Sequence, residues 1–177
     1  MKIHFHSLSS LLLYPFKEEW IIKKSTLLFS CEHASNAIPK RYKRLFLKKI
    51  NLLNTHRGFD NGSRQLGASL GLFFKSPVIY GQFSRLLIDL NRSAHHRNAF
   101  SEFTAFLTKN EKEDLIKNYH TPHWNKVQGA LSELWKVNTL IIHIGVHSFT
   151  PILNNQKRNA DIGILYDPSR KKERELA

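Results

Sequence analysis

Two short apolar runs, each leading to a histidine, constrain this chain more than any other feature. Residues 26–31 read TLLFSC and run into Glu32 and His33, while residues 139–146 read TLIIHIGV and run directly into His147. Apolar runs of strand length without polar alternation suit strands covered on both faces, the usual state inside a largely parallel sheet. The second run is the stronger and predicts a central strand. After the first run, the polar loop EHASN precedes Pro39, which suits the first turn of a helix. Leu66, Leu70 and Phe73 or Phe74 recur at helical spacing over residues 61–74, with Asp60 and Asn61 as candidate caps. Residues 77–80 and 86–90 read as two further strands, and 161–166 (DIGILY) as another. A long helical region over residues 110–136 contains Pro122, which predicts a kink or a break there. Strands alternating with helices imply an α/β layered fold with a mixed, mostly parallel central sheet. Ligands in such sheets gather beyond the carboxyl ends of the strands, where the two histidines lie.

At 177 residues, with 41% hydrophobic and 23% charged positions, the chain suits one ordinary globular domain rather than a disordered segment. Its formal charge of +13 attracts anions, whether nucleic acid, acidic lipid or a carboxylate substrate. The basic runs KRYKR (40–44) and KKER (171–174) raise nucleic-acid binding as a rival function. No aromatic-basic recognition motif accompanies them, and they read as solvated helix faces. A single cysteine, Cys31, excludes an internal disulfide framework and a multi-cysteine zinc site, and fits a reducing, cytoplasmic setting. No apolar run approaches the roughly 18 residues needed to span a bilayer. The opening LLLYPF stretch is broken by Pro15 and followed by Lys17, Glu18 and Glu19, unlike a secretory signal. Residues 1–24 are therefore expected to form a non-catalytic extension before a domain over residues 25–177.

The chemistry centres on His33 and His147. Two strand-end histidines from central strands can point into one crevice, and neutral imidazole is the commonest zinc ligand. Asp60, opening a helix after a loop, could add a carboxylate. A catalytic zinc needs three protein ligands and one open position, and His, Asp and His meet that count. Against this stands the fact that ten histidines occur here, most of them expected on the surface or in loops. A second constellation is Arg85-Leu86-Leu87-Ile88-Asp89-Leu90-Asn91-Arg92. In an extended strand Arg85, Leu87, Asp89 and Asn91 share one face. Arg92 or Arg85 could hold an acidic substrate through two parallel hydrogen bonds, with Asp89 orienting an arginine or a ligand histidine. The plainer alternative is a structural ion pair at a strand end.

The run SCEHASNAIP (30–39) resembles the first motif of the N-formylglutamate amidohydrolase family. HRGFDNG (56–62), SRLLIDLNRS (84–93), YHTPH (119–123) and VHSFTP (146–151) with the following Arg158 and ADIGILYDP (160–168) resemble its later motifs, in family order. The resemblance implies a three-layer α/β/α, phosphorylase/hydrolase-like fold and a metal-dependent amidohydrolase of small N-acyl amino acids, with N-formylglutamate giving formate and glutamate. It also implies a divalent metal, most simply zinc, held by His33 and His147. The wider zinc carboxypeptidase and aspartoacylase group has a glutamate three residues after the first histidine, where this chain has Asn36, so Asp60 is favoured as third ligand. The same resemblance gives Arg85 as the catalytic residue that polarises the scissile carbonyl, and Asn91 and Arg92 as the substrate-carboxylate site. The expected partner is thus a small anionic N-acyl amino acid. Relatives carry a late glutamate-bearing strand that supplies the general base, and no counterpart precedes Ala177. The domain is therefore expected to be incomplete at its C-terminus, with an exposed sheet edge that invites a homodimer or a complementing C-terminal fragment. Glu32 is set aside as a substitute base, because strand alternation would turn it away from His33. A non-catalytic relative that binds ligand or metal is the alternative function.

Overall fold

Strand β1, Thr26–Cys31, lies in the middle of a parallel three-stranded sheet and sets the frame for everything around it. The computed structural model describes residues 26–138, 140–153 and 155–176. The N-terminal extension expected over residues 1–24 lies outside the described residues. From β1 the chain runs through a 3₁₀ helix (Lys40–Phe46), a single turn α1 (Ile50–Leu53) and helix α2 (Ser63–Phe73) to strand β2 (Val78–Tyr80). A long loop with a 3₁₀ turn (Arg97–Ala99) leads to α3 (Lys109–Leu115), a π-helical turn (Ile116–His120), α4 (Thr121–Trp135) and strand β3 (Ile141–Gly145). The sheet order is β2-β1-β3, with Phe29 opposite Val78 on one side and Ile144 on the other.

Alternation along β1 divides its side chains between two layers. Leu27, Phe29 and Cys31 pack with Leu66, Leu70 and Val78, so α2 covers that face. Leu28 and Ser30, both fully buried, point the other way, where α4 runs against all three strands. The result is the expected α/β architecture with helices on both faces. A second apolar cluster joins Tyr42, Phe46, Leu53, Leu86, Leu87 and Leu115, tying the loops beyond the sheet to α3. Thr108 caps α3, its hydroxyl accepting from the Glu111 N–H while the Glu111 carboxylate accepts from the Thr108 N–H.

Several expectations are corrected. β1, not the run at 139–146, is the central strand; β3 forms the sheet edge among the described residues, and Ile144 is 38% exposed. Residues 86–90 are turns rather than a strand. The Ser84 hydroxyl accepts from the Leu86 N–H and donates to the Gly58 carbonyl, while the Leu87 N–H bonds the Ser84 carbonyl, so the backbone is satisfied locally. Leu86, Leu87, Ile88 and Leu90 are apolar because they are core anchors of a loop. Pro122 breaks nothing: the π turn ends just before it, and Pro122 falls in the first turn of α4, where its missing N–H is tolerated. Helix α2 is entered through Gly62 at φ 85°, a left-handed conformation suited to glycine, rather than through Asp60 or Asn61.

Residues from Thr150 onward belong to a separate compact unit. It contains a short antiparallel pair, β4 (Ile152–Leu153) and β5 (Gln156–Lys157), and helix α5 (Lys171–Leu176). The run at 161–166 forms no strand, and Leu165 is 94% exposed. No helix among the described residues is long and apolar enough to cross a membrane.

Helix α2 approaches the central strand tightly at Gly67, where an added Cβ would lie 2.4 Å from the Cys31 sulfur. Gly67→Ala should therefore lower stability by about 1–3 kcal/mol in urea unfolding, despite alanine's better helix propensity. In a Cys31→Ala background that cost should shrink. An equal cost in both backgrounds would show that the sulfur contact is not its cause.

Candidate metal centre

The turn that ends β1 brings Glu32 and His33 side by side into the interior, at 2% and 1% exposure. Three backbone hydrogen bonds assemble the rest around it. The Asp60 N–H donates to the His33 carbonyl at 3.0 Å, the Val146 N–H to the Ser30 carbonyl at 2.7 Å, and the Gly81 N–H to the Cys31 carbonyl at 2.8 Å. The first places the 56–62 loop, the second places His147 just beyond β3, and the third seals the turn from the β2 side. Gly58 has no room for a Cβ, which would fall 2.1 Å from the Leu53 carbonyl oxygen.

His33, Asp60 and His147 offer ligand atoms that all lie within 4.8 Å of one another, a group that could hold a metal ion. Asp60 Oδ2 is the shared point, 3.4 Å from His33 Nδ1 and 2.9 Å from His147 Nδ1. His33 Nδ1 is buried and makes no hydrogen bond, although its ring is otherwise fixed by Asp89 Oδ1, 2.6 Å from Nε2. A buried imidazole with one nitrogen held by a carboxylate and the other turned toward a second carboxylate without a hydrogen bond to it is an arrangement a metal ligand can use. The donor set of two imidazoles and a carboxylate fits a divalent cation of the zinc type. Arg85 closes one side, its guanidinium 3.1 Å from Asp89 Oδ2 and 3.6 Å from Asp60 Oδ1.

Around this group the charges hold one another. Burial alone would raise the Asp60 carboxyl, but His147 and His33 outweigh it and hold it well below the usual carboxylate range. Glu32 is held low in the same way by His123, His147 and Ser30 against its own burial. Burial likewise opposes ionisation of Asp89, and His33 and Arg85 win. Burial would lower both imidazoles. Asp60 and Asp89 instead raise His33, and Asp60 and Glu32 push His147 up to about 9.

The structure thus brings His33, Asp60, His147 and Arg85 together. It does not bring the Asn91 and Arg92 side chains into the group: both are exposed, at the far end of the same loop. Their backbone is anchored, with the Asn91 N–H donating to Asp89 Oδ1, His120 Nε2 at 2.8 Å from the Arg92 carbonyl, and the Trp124 indole donating to the Leu90 carbonyl. Asp89 orients both a histidine and an arginine, as its spacing allowed. Glu32 does not point away from His33, because the strand has already ended at Cys31 and alternation no longer applies. Ser30, His123 and His143 were not singled out as site residues. Ser30 Oγ bonds Glu32 Oε1 and lies 2.8 Å from His143 Nε2, and His123 Nε2 stands 3.9 Å from the same carboxylate oxygen. The YHTPH run was the available signal for His123, since residues three apart on a helix share a face with His120.

Folding raises the His147 pKa from 6.5 to about 9. Its contribution to stability in the metal-free protein is therefore complete below about pH 6.5 and lost as pH rises through about 9. Thermal unfolding of the metal-free wild type should weaken across that window more than that of His147→Gln. Parallel melting curves would show that the ring is not held by Asp60 and Glu32 in solution.

Residues 25–176 match the family model described as N-formylglutamate amidohydrolase. Among solved structures, the fold matches that of gene product Atu2144 from Agrobacterium tumefaciens, with a TM-score of 0.68 and 27% identity. The match covers 75% of this chain and 55% of that one, so the chain spans little more than half the length of its structural relative. No curated protein matches the sequence. With the family match running over nearly the whole described chain, and with His33, Asp60 and His147 from three of the motifs grouped together, the chain belongs to the N-formylglutamate amidohydrolase family.

Proposed function

We propose that this protein is a metal-dependent amidohydrolase of small anionic N-acyl amino acids, of the N-formylglutamate type. The observation that carries this reading is the meeting of buried His33 Nδ1 and Asp60 Oδ2 with the solvent-reaching His147 Nδ1 at one point beside the Arg85 guanidinium. His33, Asp60 and His147 would hold the cation, zinc by donor chemistry. Bound there, it would supply Lewis acidity, activating water near neutral pH and polarising the amide oxygen. Arg85, with 31% side-chain exposure, reaches from the ion-pair cluster to solvent and offers positive charge where the oxyanion develops. Arg92 and Asn91, exposed on an anchored loop, suit a carboxylate clamp that positions the acyl amino acid. In the reaction the amide C–N bond breaks, the water oxygen joins the acyl carbon, and the leaving nitrogen takes a proton. N-formylglutamate would give formate and glutamate.

A second reading is favoured by one feature of the site. Glu32, Asp60 and Asp89 each stand against histidine, and Asp60 and Asp89 also against Arg85, so no site carboxylate among the described residues is free as a general base. Such a chain would bind metal and ligand without turnover, or would need a base from a complementing polypeptide.

Both readings meet in one set of measurements. The wild type should take up one zinc per chain and hydrolyse N-formyl-L-glutamate, while Asp60→Ala should lose both properties. Arg92→Ala should keep its zinc but raise KM for the acidic substrate about 10–100-fold, the loss of roughly 1.5–3 kcal/mol of charge-assisted hydrogen bonding. Equal loss of metal and activity in Arg92→Ala would make that residue structural. Zinc uptake without turnover of any N-acyl amino acid would select the second reading.

A further inference from the structure

We infer that Glu32 is a positioning residue, which holds Nε2–H of His147 so that Nδ1 of that ring faces Asp60. The inference rests on the metal-centre reading above and assigns a task to a residue outside its ligand set. Two observations carry it, and the first is geometric. The His147 ring lies between two carboxylates, with Nδ1 2.9 Å from Asp60 Oδ2 and Nε2 3.2 Å from Glu32 Oε2. Glu32 Oε2 is buried and has no hydrogen-bond partner, so the 3.2 Å ion-pair contact with Nε2 is what faces this oxygen, while His123 stands against Oε1.

The second observation is that His33 repeats the arrangement. Its Nε2 is held by Asp89 Oδ1 at 2.6 Å, and its Nδ1 faces the same Asp60 Oδ2. Each ring therefore has an outer carboxylate on Nε2 and the shared inner carboxylate on Nδ1. A neutral imidazole carries one N–H, and the group that accepts that N–H decides which nitrogen keeps its lone pair for a cation. Two buried acceptors placed on the outer nitrogens fix both lone pairs on the inner ones.

Glu32 is itself fixed, as a positioning group has to be. Ser30 Oγ donates to its Oε1, and His123 stands on the same side, which leaves Oε2 directed at His147. The engagement also accounts for why this carboxylate, despite lying against the centre, is not free to act as a base.

The test reads the ring proton and the metal rather than turnover. In the zinc-loaded, full-length chain labelled with ¹⁵N-histidine, two-bond nitrogen–proton correlations should place the proton of both His33 and His147 on Nε2, with assignment from His147→Gln. Zinc affinity, measured by chelator competition, should fall about 10–100-fold in Glu32→Ala. Glu32→Gln should recover most of it, because the carboxamide oxygen accepts the same N–H. A His147 proton on Nδ1 overturns the assignment, as does wild-type zinc affinity in Glu32→Ala or a Gln variant no better than the Ala one. The wild-type spectrum settles the point even where a variant fails to fold. A wild type that takes up no zinc sinks the metal-centre reading itself, and this inference with it.

Discussion

The Asp60 carboxylate is the interaction on which the rest of the structure depends. It is 4% exposed, and an ionised carboxylate so buried has to be compensated. Compensation comes from three stretches far apart in sequence: His33 after β1, Arg85 in the core loop, and His147 after β3. Removing one partner of such a buried group typically costs about 3–5 kcal/mol, because the other charge is left stranded. The sheet brings the two histidine-bearing strands side by side, and Asp60 then fixes where their ends point. In the metal-free molecule, imidazole protons and a guanidinium occupy the positions around it. A cation held by the same atoms would displace those protons, so in the proposed metal centre uptake of the ion and release of protons would be one event.

Much of this was legible in the chain. An apolar run ending in histidine marks a strand whose end can enter a crevice, and His33 and His147 obey that rule. Asp60 was readable from its loop, and Asp89 from its spacing to Arg85. What could not be read was any feature in which burial, rather than secondary structure, made residues apolar. Leu86, Leu87 and Ile88 look like a strand, yet they fill the space between loops and α3, and the ladder role goes elsewhere. Glu32 escaped for a related reason. Glu32 lies one residue beyond the last paired position, Cys31, and a turn resets the direction of every side chain that follows.

The exposed Asn91 and Arg92 depend on helix α4 and the π turn before it for their position. Trp124 and His120 hold the carbonyls of Leu90 and Arg92, and Asp89 holds the Asn91 N–H, so the loop is gripped from both sides by groups with other duties. Asp89 braces His33 and Arg85 while it grips this loop. One carboxylate therefore ties the geometry of the candidate metal group to that of the proposed substrate clamp, and a disturbance at either would be felt at the other.

The π turn at Ile116–His120 separates the rotational phase of two helices that would otherwise be one rod. An uninterrupted α-helix advances by about 100° per residue, so a single inserted or deleted residue would swing every downstream side chain around the axis. The wider turn offsets the face of α4 that carries Trp124 and His123 from the phase set by the face of α3 that buries Leu115. The wider turn therefore gives His123 and Trp124 a direction that a plain continuation of the first helix would not give them.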